Sequence, residues 1–186
     1  MQVTSLALPG LLRVELDLHG DARGFFVERF NQKEYQQYGL PIEFKQDNHS
    51  RSAPGVLRGL HYQYGLPQGK LVGVLRGKIW DVVLDIRPSS LTYGKSLGIE
   101  LSDLSGHLLW VPPGFAHGFC VLGDEPADLL YKVTEFYNPQ GEKGIHWADP
   151  DAAIRWPIQN PVVSARDNLL PTFSSYRINP IQWNQL

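Results

Sequence analysis

Residues 106–122 read Gly106-His-Leu-Leu-Trp110-Val-Pro-Pro-Gly114-Phe-Ala-His117-Gly-Phe-Cys120-Val-Leu122. Two short apolar runs, 107–111 and 117–122, flank a Pro-Pro-Gly turn. Runs of this length bounded by turn formers read as strands. The turn aims His117 from the start of the second strand.

The same grammar extends outward in both directions. Residues 70–75 and 78–87 flank Arg76-Gly77, which reads as a hairpin turn. In the second run Trp80, Val82, Leu84 and Ile86 share one face, and Asp81, Asp85 and Arg87 share the other. Residues 97–101 and 129–137 are further strand candidates. Residues 12–18 alternate between apolar and charged side chains, the pattern of a strand with one buried face. One short helix is predicted over 31–39. Asn31 is its cap, Glu34 holds the capping-box position, and Gly39 and Pro41 stop it. After Pro139 the pattern dissolves into Gly- and Pro-punctuated loops expected to wrap the barrel. The prediction is a mainly β fold, a jelly-roll barrel with a few short helices.

Composition agrees. With 18 glycines and 14 prolines among 186 residues, a helix bundle is disfavoured. The length suits a single domain over 1–186 that buries roughly 70% of its unfolded surface. Seventeen basic against nineteen acidic residues give a net charge of -2, which excludes a nucleic-acid binder working by bulk charge. No basic, apolar leader opens the chain, and no apolar run approaches the ~20 residues of a membrane span. Cys120 stands alone, so no internal disulfide is expected. The reading is a soluble, cytoplasmic protein with no membrane or nucleic-acid partner.

Gly106-(five residues)-Pro112…His117 and Gly55-(five residues)-His61 resemble the paired motifs of the cupin superfamily. A metal-binding cupin would place a second histidine where Gln63 stands, and a glutamate near Pro67-Gln68. With His61 and His117 alone the ligand cage is broken, and no metal is expected. An anonymous histidine is usually a satisfied structural one. His61, however, follows Arg58 by three residues, and further polar groups lie at Arg23, Glu28 and 46–48. Arginines suit phosphate because the planar guanidinium can make two parallel hydrogen bonds.

Six or more blocks then fall in order along nearly the whole chain: 20–28 (GDARGFFVE), 44–50 (FKQDNHS), 57–61 (LRGLH), 68–71 (QGKL), 110–119 (WVPPGFAHGF), 130–132 (LYK) and 164–167 (SARD). Together they resemble dTDP-4-dehydrorhamnose 3,5-epimerase. The resemblance implies a cofactor-independent enzyme that inverts C3 and C5 of dTDP-4-dehydro-6-deoxy-D-glucose. It implies His61 as base, Asp167 as the carboxylate that orients it, Tyr131 as proton donor on the opposite face, and Lys70 at the O4 enolate. It further implies that Arg23, Glu28, Gln46, Asp47, Asn48, Arg58, His117, Glu142 and Arg166 bind the nucleotide part. In that set the arginines and His117 serve phosphates, while Glu28 and 46–48 read the thymine edge. Read from the residues alone, Tyr131 is first a barrel-wall aromatic, and Lys70 could equally be a solvated strand-end lysine. Tyr137 could stack on the base or be an ordinary packed aromatic. Arg166 stands where many family members have lysine, and the tail 181–186 matches no functional role. The resemblance also implies a homodimer whose N-terminal strand crosses over, so that Arg23 and Glu28 complete the neighbour's site. The alternating 12–18 strand is compatible with such edge pairing.

The rival readings are a related single-carbon epimerase or ketoisomerase, a non-catalytic cupin that binds a nucleotide or carbohydrate, and a metal-dependent cupin oxygenase. Product stereochemistry separates the first. The joint presence of His61, Asp167 and Tyr131 argues against the second, and iron content decides the third.

Overall fold

The computed structural model describes residues 1–183. The chain runs β1 (Gln2–Ser5), β2 (Leu12–Glu15), β3 (Leu18–Asp21), β4 (Gly24–Val27), α1 (Gln32–Gln37), β5 (Gln46–Ser52), β6 (Val56–Gln63) and β7 (Lys70–Arg76). It continues through β8 (Lys78–Asp85), β9 (Ser96–Ser102), β10 (His107–Val111), β11 (Phe115–Val121), β12 (Ala127–Val133), β13 (Glu142–Gly144), β14 (Val162–Val163), α2 (Ala165–Asn168) and α3 (Phe173–Ile178). No helix among the described residues is long and apolar enough to cross a membrane.

Two sheets carry the fold. The first has the order β1-β2-β10-β7-β12-β5 and the second β13-β6-β11-β8-β9, with β14 added parallel to β6. Val72, Val74, Leu109 and Leu129 of the first sheet meet Ile79, Val83, Phe119 and Val121 of the second in one buried cluster. That face-to-face packing of two antiparallel sheets is the expected jelly roll. The Pro112-Pro-Gly114 turn lies between β10 and β11 and sends them to opposite sheets.

Both sheets are also covered outside. Tyr35 and Leu40, in and after α1, seal Val14, Leu71, Leu108 and Trp110. Phe173, Tyr176 and Trp183 seal Leu60, Tyr62, Val82 and Leu84. Trp183 donates its indole N–H to the Tyr176 hydroxyl (3.2 Å), which gives the chain's tail a packing role. Residues 184–186 of that tail lie outside the described residues. The segments after Pro139 do wrap the barrel as expected, but they also add β13, β14, α2 and α3.

Three sequence expectations are corrected. Arg76-Gly77 is not a hairpin turn, because β7 and β8 belong to different sheets. Gly77 has φ +80°, and a Cβ there would meet the Pro126 carbonyl oxygen at 2.7 Å, so the corner requires glycine. The alternating 12–18 run is broken at Leu16-Asp17 into β2 and β3. And β2 is no edge, since it pairs with both β1 and β10. The helix is met where expected: the Asn31 side chain accepts from the Lys33 and Glu34 amides, and Gly39 ends it at φ +68°.

Candidate active site

A cavity of about 230 Å³ opens between the sheets. His61 of β6 and His117 of β11 enter it from the second sheet, and Lys70 of β7 and Tyr131 of β12 from the first. Glu142 and Arg58 complete its charged lining.

His61 Nε2 lies 2.7 Å from Asp167 Oδ1, and the other carboxylate oxygen accepts the Gly59 amide at 3.0 Å. The carboxylate facing Nε2 assigns the proton to that nitrogen, which leaves Nδ1 as the basic one. Local sequence builds this pair. Ser164 caps the four-residue α2 and its hydroxyl accepts the Asp167 amide at 3.0 Å. Gly59 has φ +107°, and a Cβ would strike Gly118 Cα and the His117 carbonyl oxygen at 2.7 Å. Only glycine lets β6 approach β11 this closely. Burial alone would raise the Asp167 carboxyl. The hydrogen bonds from His61 and Gly59, with the charges of His61 and Arg166, outweigh it and hold the carboxyl below its ordinary value.

His117 carries a second such pair, its Nε2 being 2.9 Å from both oxygens of Asp81. Asp81 is fully buried. The sequence reading had it only on the polar face of a strand. A carboxylate in an otherwise apolar run was the signal that could have found its partner.

The opposite wall holds unpartnered groups. Among the described residues, neither the Lys70 ammonium nor the Tyr131 hydroxyl makes a hydrogen bond. Burial pushes the Lys70 ammonium down to about 8, against the opposing charges of Glu142 and Asp81. Burial, with Glu142, raises the Tyr131 phenol, and Arg58 partly offsets it.

At the mouth the Tyr137 hydroxyl donates to Glu142 (2.7 Å), and Glu142 pairs with Arg166 (2.5 Å). Burial would raise Glu142, but the hydrogen bonds from Tyr137 and Arg166 leave it below its ordinary value. Tyr137 is 52% exposed, so it is not a packed core aromatic. Arg58 and Arg166 flank a second cavity of about 320 Å³, which also touches His61 and Asp167.

Other candidates fall elsewhere. The Gln46 carboxamide accepts the Tyr137 amide (3.0 Å) and donates to Asn48 (2.7 Å), so both side chains bond within the protein. Asp47 lies on the opposite, exposed face of β5, bonded to Lys132 at 2.9 Å. Arg23 sits on the β3–β4 hairpin paired with Asp21. Glu28 accepts from Asn31 at 2.8 Å. Neither lines the cavity. Gln63, at the position of a cupin metal ligand, instead bonds three backbone groups. Among the described residues no group of three His, Cys, Asp or Glu side chains is placed to hold a metal ion.

A jelly roll whose cavity sets a carboxylate-held histidine opposite an ammonium and a phenol has the groups that an acid–base isomerase of carbon acids requires. Comparison with known proteins narrows that class. Residues 5–175 match the family model described as dTDP-4-dehydrorhamnose 3,5-epimerase. The enzyme of that name from Shigella flexneri is 50% identical over 169 residues, covering 90% of this chain and 93% of its own. The one from Pseudomonas aeruginosa is 48% identical with the same coverage. A Legionella pneumophila epimerase solved with dTDP-4-keto-L-rhamnose superposes with a TM-score of 0.88 at 44% identity, covering 92% of each chain. The chain belongs to the dTDP-4-dehydrorhamnose 3,5-epimerase family, as its sequence blocks led us to expect.

Proposed function

We infer that this chain converts dTDP-4-dehydro-6-deoxy-D-glucose to dTDP-4-dehydro-L-rhamnose by inverting C3 and C5. The observation that carries the reading is the single cavity with His61–Asp167 on one sheet and Lys70 and Tyr131 on the other. A C4 ketone acidifies the hydrogens on both flanking carbons. His61 Nδ1 removes one, and Asp167 stabilises the imidazolium that forms. The electron pair moves onto O4, where the Lys70 ammonium meets the developing charge. Tyr131, reaching in from the opposite wall, returns a proton to the other face of the carbon. Its raised pKa keeps it protonated at neutral pH. Arg58 and Arg166 hold the diphosphate. Gln46 and Asn48, on the inward face of β5, read the thymine edge, while Asp47 on the outer face bonds Lys132 instead. His117 is buried and lines the same cavity as Lys70, and in this reading it faces the sugar rather than the phosphates.

The test is incubation with the keto sugar in heavy water, coupled to a downstream reductase. Deuterium at both C3 and C5 of an L-rhamno product is expected. Label at one carbon only would make the chain a single-carbon epimerase.

The working unit in this reading is a homodimer in the cytoplasm. Among the described residues the β3–β4 hairpin pairs with no other strand, and it presents Phe25 and Phe26 at 55% and 69% exposure. Crossing to a partner would cover these rings and bring Arg23 and Glu28 to the neighbour's nucleotide site. Sedimentation at micromolar concentration should give twice the chain mass, and a 21.0 kDa species would overturn the dimer.

A further inference from the structure

We propose that Gln63 is a positioning residue for nucleotide binding, holding the strap that carries Tyr137 and Glu142 across the cavity mouth. The inference rests on the proposed function and takes Tyr137 as the aromatic that stacks on the base, with Glu142 among the residues that bind the nucleotide part.

Gln63 closes β6 two residues after His61 and is 5% exposed. Its Nε2 donates to the carbonyls of Leu66 (2.7 Å) and Phe136 (2.9 Å), and its Oε1 accepts the Asn138 amide (2.8 Å). Between those two strap contacts, the Tyr137 amide turns the other way and meets Gln46 Oε1 at 3.0 Å. Extended backbone directs successive peptide groups to opposite sides. Residues 136–138 therefore bond like a strand between two neighbours, but the neighbours are two carboxamides, one from each sheet. The strap bridges the open end of the sandwich. At its far end Glu142 is the register partner of Gln63 and receives the Tyr137 hydroxyl. The side chain at 63 thus fixes the Tyr137 end of the Tyr137–Glu142 contact, while the β6–β13 ladder at the same residue holds the Glu142 end. Through Leu66 it also tethers the loop that leads into Lys70.

The chemistry demands a carboxamide. Two donors and an acceptor in one plane satisfy two carbonyls and one amide. A glutamate would set its anion against both carbonyls, and a histidine would bring a single neutral N–H.

The test uses the full chain with Gln63→Glu and Gln63→Met, and with Gln63→Asn, which keeps the carboxamide but shortens its reach, should both fail to fold. KM for the dTDP-keto sugar and the Kd for dTDP should rise together by about ten- to hundred-fold, the scale of one or two lost buried hydrogen bonds. At saturation, kcat and deuterium wash-in should stay within about threefold. A fall in kcat at unchanged KM, or no change in folded variants, would overturn the inference. Tyr137→Ala separates the two levels. If it leaves dTDP affinity unchanged, the strap's nucleotide role and the inference both fail. If it weakens dTDP binding while Gln63→Glu does not, only the positioning inference fails.

Discussion

His117 is the register partner of His61 across the β6–β11 ladder, and each imidazole is held through Nε2 by its own aspartate. The two differ in what lies beyond the carboxylate. Asp81 is fully buried inside the sandwich, whereas Asp167 arrives on a separate short helix beside the second cavity.

His61→Asn should lower kcat by at least about 10²–10⁴-fold, the usual worth of a general base. Asp167→Asn should be milder yet severe, because the ring loses the anion that fixes its tautomer. Single-turnover rates and solvent deuterium uptake measure both. Near-normal uptake in a substrate-binding His61→Asn enzyme would remove His61 from the mechanism.

Lys70 supplies a pH signature. Its ammonium titrates near 8 in the folded chain, below the ordinary lysine value. Placing the charged form in the cavity opposes folding in full below about pH 8, and that opposition fades as pH rises from there to the unfolded lysine value of ~10.4. In the proposed mechanism catalysis runs the other way, since the cation at O4 is lost above about 8. The rate should therefore show an alkaline limb near pH 8. Lys70→Arg should move that limb out of range, and Lys70→Met should lose roughly 10²–10³-fold below about pH 8, a deficit that narrows above it as the wild type loses its cation.

Tyr131→Phe should part exchange from inversion. His61 can still remove and return a proton on its own face, so deuterium should wash into recovered substrate. Inversion, above all at C5, should fall much further. Equal loss of both would make the tyrosine a support for substrate or for His61. Inversion of both centres at normal rates would exclude it.

On the outer face Arg51 and His49 bond Asp128 at 2.9 and 3.0 Å and hold its carboxyl down at about 2. A carboxyl lowered on folding stabilises above its unfolded pKa of ~4, and that stabilisation is lost as pH falls through the folded value. The Tm gap between wild type and Asp128→Asn should be full above about pH 4 and close towards pH 2. A gap constant from pH 6 to pH 2 would contradict the pairing.

Where side chains alternate between an apolar core and water, the fold was readable. Residues 107–111 are β10 as expected, and the α1 cap at Asn31 stands where the local pattern placed it. β5 was not readable as a strand, because one face lines the polar mouth and the other meets solvent, so Gln46–Ser52 shows no apolar period. Gly77 looked like a hairpin turn because sequence reports that the chain reverses, not which sheet it then joins. The site divides the same way. His61, Lys70 and Tyr131 came from collinear blocks. The Asp81–His117 pair spans 36 positions and the three bonds of Gln63 reach separate loops, so only the folded chain reveals them.

Asp167 follows His61 by 106 positions, on a helix tethered to β6 through the two-residue β14. A nascent chain can close its sandwich from β1 to β12 and still carry a base without its counter-ion. Competence comes only when this late stretch emerges and docks. Paired to β6 by only two residues, the same stretch should open at a lower temperature than the sandwich itself. Heat can therefore silence the enzyme while most of its strands stay paired.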